Sequence, residues 1–83
     1  MKGIEFKKIR EQLELTQEEL ADILCLSGKK VVSNIEREVR NPSLLTTVLM
    51  RLLSDLPLKR SKELQNLLIS FHRKETGHKG RKS

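Results

Sequence analysis

Residues 16–42 constrain the fold more than any other part of the chain, because they contain the signals that start and stop two helices. Thr16 followed by Glu19 is a capping box, in which the hydroxyl and the carboxylate each accept a backbone N–H at the helix start. The Leu-Ser-Gly segment 26–28 interrupts the helical pattern, and its serine or its glycine can cap a second helix. Pro42 ends that helix, since the residue before a proline avoids the helical region. Two short helices joined by a tight turn are therefore predicted.

Apolar residues recur at helical spacing along most of the remaining chain. A first helix is predicted over 3–14, the two short helices over 17–24 and 29–37, and a fifth over 57–74, where Pro57 suits the first turn. Ser43 is expected to cap the fourth helix. That helix has a wide apolar face, made of Leu44, Leu45, Val48, Leu49, Leu52 and Leu53. The predicted fold class is all-α, a compact bundle of four to five helices.

With 83 residues, the chain is long enough for one small domain. We assign this domain to residues 1–75 and expect a basic, flexible tail over 76–83. Aromatic residues make up only 2% of the chain, which disfavours β-sandwiches and base-stacking surfaces. No apolar run approaches the roughly 20 residues that span a membrane, and no membrane partner is expected. The single cysteine cannot form an internal disulfide, so a reducing cytoplasm is expected.

The formal net charge of +6 comes from the second half of the chain. Residues 1–41 contain eight basic and eight acidic side chains, whereas residues 42–83 contain nine basic and three acidic ones. Long-range attraction to a nucleic acid is therefore expected mainly from the second half, and orientation on it from the first.

Three fragments, read in order, resemble the helix-turn-helix of the Cro and lambda-repressor family, also called the XRE family. They are IREQLELTQEELADIL, VVSNIERE and RNPS, and the resemblance covers residues 4–53. It implies a lambda-repressor-like bundle whose second and third helices form the helix-turn-helix motif, at about 16–38. The third helix would lie in the major groove of double-stranded DNA, with its first turn facing base edges. The resemblance also implies that the protein is located in the cytoplasm, on the nucleoid of a bacterium or on phage DNA.

The resemblance assigns base contacts to Lys29, Lys30 and Asn34, which lie off the stripe formed by Val32 and Ile35. Lysine can donate to guanine O6 and N7, and asparagine can pair with adenine. A preference for guanine near the centre of each half-site follows. The alternative is that these three residues are ordinary solvated side chains.

Phosphate contacts are assigned by the same resemblance to Gln17, at the start of the second helix, and to Ser33, Arg37 and Arg40. The two arginines have a second interpretation, in which they complement the carbonyl end of the third helix.

Arg10 and Glu36 match a pair that ties the first helix to the third in this family. Arg10 shares a helix face with apolar residues, which fits a buried or half-buried ion pair. Such a pair fixes helix orientation more than it adds net stability.

Three features depart from the family pattern. The segment 28–31 contains one residue more than usual, so the base-reading register is open to a shift of one position. Cys25 replaces a turn glycine, and burial as a small hydrophobe is expected rather than redox sensing. Glu38 replaces the glycine after the third helix. Glu38 either adopts positive φ, which costs roughly 1 kcal/mol of stability, or lets the helix continue. Its carboxylate also brings a negative charge near the DNA.

The fifth helix has an apolar stripe that either completes the core or forms a dimer interface, made of Leu64, Leu67, Leu68 and Phe71. The basic residues expected to touch DNA backbone from this segment and the tail are Lys59, Arg60, Lys62, Lys79, Arg81 and Lys82. His72 and His78 have no neighbour with metal-ligand spacing and are expected to be solvent-exposed.

Two functions fit these patterns. The first is a sequence-specific transcriptional regulator, most often a repressor in this family, which binds a palindromic operator as a homodimer. The alternative is an antitoxin-type protein that autoregulates its operon and binds a toxin or another protein through residues 57–74. No phosphate-binding loop, nucleophile–base pair or metal-ligand set occurs, so neither an enzyme nor a cofactor is expected, and RNA binding lacks its aromatic surface.

Overall fold

A computed structural model describes residues 1–77, and within that range the chain is all-α, as predicted. Five helices follow one another without an intervening strand in the described part of the chain. They are α1 (Gly3–Gln12), α2 (Gln17–Ile23), α3 (Lys29–Glu36), α4 (Leu44–Asp55) and α5 (Leu58–Gly77). No helix in this range is both long and apolar enough to cross a membrane.

The core lies where α2 packs against α3 and α5, with α1 closing the bundle against α3 and α4. Each helix except α5 contributes fully buried aliphatic or aromatic side chains. The largest of them are Phe6, Leu20, Ile23, Met50, Leu53 and Val32. The half-buried Leu64, Leu68 and Ile69 of α5 pack on this cluster. One helix stripe per element therefore builds a single core.

The helix starts predicted at Thr16 and Ser43 are both present. Thr16 Oγ1 accepts from the Glu19 backbone N–H at 3.0 Å, and the Glu19 carboxylate accepts from the Thr16 N–H at 2.9 Å. Ser43 Oγ accepts from the Thr46 N–H at 3.1 Å. Gly28 is the cap residue of α3 and contributes no side-chain bond. Pro57 precedes α5 rather than lying inside it, and its carbonyl accepts from the Ser61 N–H.

Three helices end on a residue in the left-handed region that is not glycine. Glu14, Cys25 and Glu38 have φ of 59°, 58° and 61°. In each case the N–H of the next residue donates to the backbone carbonyl five residues earlier. The distances are 3.2 Å from Leu15 to Arg10, 2.8 Å from Leu26 to Ala21 and 2.9 Å from Val39 to Asn34. This is the Schellman arrangement, which usually employs glycine. The conformation explains why α1 stops at Gln12 instead of the predicted residue 14.

The prediction that Cys25 is buried was wrong. The residue occupies the left-handed position after α2, and its side chain is exposed. The apolar contacts of this turn come instead from Leu24, which is buried, and Leu26, which packs partly against the core.

Gly3 lies directly against the carbonyl end of α3. A Cβ atom on Gly3 would come within 2.5 Å of the Glu36 carbonyl oxygen and 2.7 Å of the Ile35 carbonyl oxygen. The Gly3 N–H donates to the Glu38 carboxylate at 2.9 Å. The start of α1 and the end of α3 therefore touch at backbone distance, which only glycine permits.

α5 is held to the rest of the bundle at two places. Near its start, buried Ser61 donates to the Leu53 carbonyl at 2.9 Å and accepts from the Gln65 amide at 3.1 Å. Near its end, His72 Nδ1 lies 2.6 Å from the Asp22 carbonyl, and Arg73 donates to the Asp22 carboxylate at 3.1 Å. His72 is therefore half-buried against α2, and the prediction that it is solvent-exposed was wrong.

The apolar stripe predicted on the fifth helix is divided between core and surface. Leu64 and Leu68 are half-buried, whereas Leu67 and Phe71 are exposed. Thr76 and Gly77 belong to α5, so the expected tail does not begin at residue 76. The remaining tail residues 78–83, with His78, lie outside the described part of the chain.

Candidate nucleic-acid interface

α3 turns one side to the core and the other to solvent. Val32 and Ile35 are buried. Successive residues of an α-helix are about 100° apart, so Lys30 and Arg37 lie close together on the side opposite Val32. Both are exposed, and the half-buried Asn34 lies beside them. The exposed side of α3 therefore combines two cations with one amide.

The first turn of α3 contains two lysines. Lys29 and Lys30 are the first and second residues of α3, and both are exposed. Gly28 has an extended backbone, with φ 171° and ψ 176°, and its carbonyl accepts from the Val31 N–H at 3.1 Å. The two lysines thus occupy the first turn, which is the part of a recognition helix that reaches base edges.

Gln17 faces α3 instead of solvent. Its side-chain Nε2 donates to Glu36 Oε1 at 3.0 Å, and the residue is half-buried. In this geometry the amide of Gln17 ties the first residue of α2 to the last residue of α3. Its assignment as a phosphate contact stays a prediction.

Arg10 and Glu36 are in contact at the centre of the same network. Arg10 Nε donates to Glu36 Oε2 at 2.6 Å and Nη2 donates to Oε1 at 3.3 Å, while Nη1 donates to the Leu15 carbonyl at 2.9 Å. Only 13% of the Arg10 side chain and 5% of the Glu36 side chain are exposed. The hydrogen bond to Glu36 raises the pKa of Arg10 above its ordinary value, and burial opposes this change. One carboxylate thereby joins α1, α2 and α3.

The remaining candidate contacts lie around α3. Arg37 and Arg40 are exposed and Ser33 is half-buried. Within residues 1–77, neither arginine forms an ion pair. The Glu38 carboxylate accepts the Gly3 N–H, so its negative charge is directed toward the start of α1. The cations around α3 are available to an anionic partner.

Sequence reasoning missed two features of this region. It did not assign the contact between Gln17 and Glu36, because a side-chain direction within a motif has no sequence signal. It also missed that most of the wide apolar face of α4 points to solvent. The width of that face was the available signal, since a helix on the surface of a small bundle needs a narrower stripe.

The arrangement of α2, a short turn and α3 defines a helix-turn-helix domain. A profile of the helix-turn-helix family matches residues 6–50, which is more than half of the chain. The chain belongs to this family, in its Cro/C1-type (XRE) form, and is a DNA-binding transcription regulator of that type. No curated protein and no solved structure matched the chain closely enough to count as a relative.

The family is a DNA-binding regulatory one that is not normally enzymatic. Over residues 1–77, no three His, Cys, Asp or Glu side chains are grouped in a way that could hold a metal ion.

Proposed function

We propose that this protein is a repressor that binds a palindromic operator as a dimer and inserts α3 of each copy into the major groove. The observation that supports this most directly is the exposed side of α3, where Lys30, Asn34 and Arg37 face away from the buried Val32. A convex helix face with free cations and an amide fits the major groove in both shape and donor chemistry.

In this proposal Lys29, Lys30 and Asn34 read base edges. The lysine ammonium groups donate to guanine O6 and N7, and the Asn34 amide pairs with adenine. These residues begin α3 and continue one turn along it. Each contact of this kind discriminates against a wrong base by about 1–3 kcal/mol.

Ser33, Arg37 and Arg40 contact phosphates on either side of the groove, as does Gln17 through the start of α2. Phosphate contacts set register and orientation, and they carry no sequence information. The Arg10–Glu36 ion pair ties α3 to α1. It thereby fixes the orientation in which α3 presents the base contacts and the phosphate contacts.

A dimer is part of the proposal because one α3 reaches few base pairs. Two copies related by a twofold axis place two recognition helices about 34 Å apart, one turn of DNA, and thereby read both halves of a palindrome. The repressor acts where chromosomal or phage DNA is, inside the cell.

The proposal is tested by selecting bound sequences from randomised duplexes and measuring affinity across a salt series. We expect a selected palindrome. Lys30→Ala should lose discrimination at one base position, while Arg37→Ala should weaken all sequences equally and lower the salt slope by about one unit. Lys8→Ala, at an exposed position of α1 to which no DNA contact is assigned, is the matched control for loss of one positive charge. If no sequence is enriched, the proposal is contradicted.

A second candidate function has its own supporting observation. Leu67 and Phe71 lie one turn apart on α5 and are both more than half exposed. Such a pair suits contact with another protein, as expected of an antitoxin that also regulates its own operon. A small toxin-like reading frame beside this gene, and a stable complex of the two products, would favour this function. A Leu67→Glu variant that loses the complex but keeps operator binding would locate the contact.

A further inference from the structure

The apolar face of α4 is largely uncovered. Leu44, Leu45, Val48 and Leu52 are between 42% and 80% exposed, and helical spacing brings all four to one side. The opposite side of α4, with Thr46, Met50 and Leu53, supplies the core. α4 is therefore apolar on both sides, although only one side has a partner within the described chain.

The size of this face indicates that it has a function. Four aliphatic side chains at these exposures form a patch on the order of 400 Å², about half of what one partner contributes to a standard interface. The four residues are all aliphatic. A patch of this extent matches the largest one on a typical monomer, which is often functional.

We propose that a second copy of this chain docks on this face, so that α4 packs against α4 across a twofold axis near Val48. This inference rests on the proposed function, since a palindrome needs two copies of α3. The face begins at Leu44, eight residues after α3 ends at Glu36. A twofold axis through this face would hold the two copies of α3 in a fixed relationship, as reading two half-sites requires.

The charges at the ends of α4 suit this occupant. Asp55 ends the helix, and Arg40 precedes its start in the α3–α4 loop. When two α4 helices cross antiparallel at Val48, the Asp55 end of one lies beside the Arg40 end of the other. An isologous interface is self-complementary in this way, because the same patch serves both copies.

The apolar pair on α5 is a weaker candidate for the same role. It consists of two residues, and the Lys74 ammonium lies over the Phe71 ring, 5.1 Å from its centroid. This cation–π contact already covers part of the ring. Within residues 1–77, no cation covers the four residues of α4 in this way.

The experiment compares the parent chain with two variants by sedimentation velocity, alone and with a duplex that carries two half-sites. We expect the parent to sediment as a dimer and Leu45→Glu/Val48→Glu as a monomer with unchanged helical circular dichroism. Leu67→Glu/Phe71→Glu is the matched control, with two acidic residues at exposed positions of α5, and should stay dimeric. The double variant should bind the two-site duplex about 100-fold or more weakly, since it loses the avidity of linked sites.

A second measurement needs no substitution. Dilution of the parent chain should change the amide NMR resonances of residues 44–55 and leave those of 67–74 unchanged. Changes confined to 67–74, a dimeric double variant, or a parent that is monomeric even on the two-site duplex would each overturn the inference. The last result would assign the face to a different protein.

The two proposals fail in distinguishable ways. A dimer that shows no preference among duplexes contradicts the regulator proposal and leaves the α4 interface standing. A monomer that still selects a half-site contradicts the interface and leaves DNA binding standing.

Discussion

The Nε2 atom of Gln17 donates to Oε1 of Glu36 at 3.0 Å, which joins the first residue of α2 to the last residue of α3. The other Glu36 oxygen accepts from Arg10. The angle between the two helices of the motif is therefore held by one carboxylate, whose side chain is only 5% exposed, and not by the turn alone. Substitutions at this carboxylate should affect both the stability of the bundle and the position of α3.

Glu36→Ala should lower the free energy of unfolding by about 3–5 kcal/mol, because it leaves the Arg10 guanidinium largely buried without its partner. The measurement is urea denaturation followed by circular dichroism. The double variant Arg10→Met/Glu36→Leu removes both charges and should recover most of the loss. If Glu36→Ala costs less than about 1 kcal/mol, the pair behaves as a surface ion pair and the positioning role is wrong.

Cys25→Gly should raise the free energy of unfolding by about 0.5–1 kcal/mol, since glycine adopts the left-handed conformation without the Cβ penalty. Glu14→Gly should have a similar effect. Glu38→Gly should gain less, because it also removes the acceptor of the Gly3 N–H. Thermal unfolding of the three variants checks the order, with Cys25→Ala as the control that keeps a Cβ. Equal gains for Cys25→Ala and Cys25→Gly would contradict the explanation.

Gly3→Ala should destabilise the domain by about 1–3 kcal/mol, the range typical of forcing an extra carbon into a packed site. The added Cβ would meet two backbone carbonyl oxygens of α3, which cannot turn aside as a side chain can. Gly28→Ala is the matched control. No atom lies within 4 Å of a Cβ there, and the backbone is extended, so its effect should stay within about 0.5 kcal/mol.

Asp22→Ala should loosen the second half of α5 without unfolding the first. The substitution removes the carboxylate that holds Arg73 and approaches His72, while the Ser61–Leu53 contact near the start of α5 is unchanged. Native-state hydrogen exchange should become faster for amides after residue 68 and stay the same for 61–66. Arg73→Ala should have the smaller effect, because Arg73 is 73% exposed. Uniformly faster exchange along α5 would contradict a local clamp.

Much of the fold could be predicted because its determinants are local. Thr16 and Ser43 cap their helices through residues three positions away, and proline and loop signals lie beside the boundaries that they set. The proximity of Arg10 and Glu36 followed from the family pattern and not from local rules. The predictions that were wrong or incomplete concern features that depend on tertiary packing. Helical spacing tells which residues of α4 share a face, but both of its sides are apolar, and spacing alone does not tell which side meets the core.

Strain at the helix ends was predicted only in part: positive φ was one of two alternatives for Glu38, and it was not predicted for Glu14 or Cys25. Cys25 adopts the left-handed conformation two residues after α2 ends at Ile23, and this conformation turns its side chain outward. Burial was therefore predicted from residue type and was wrong. The side-chain direction of Gln17 was not predicted either, because its partner Glu36 lies in a different helix.

The helix ends at Glu14, Cys25 and Glu38 have a consequence for how this protein can change. The genetic code connects each of these three residues to glycine through one nucleotide substitution. Each of the three glycine variants, which are expected to be more stable, is therefore one nucleotide substitution away. Proteins tolerate destabilising changes as long as they stay above a stability threshold. A gain in stability at any one of the three would leave more room for destabilising substitutions elsewhere in the domain, those on the exposed side of α3 included.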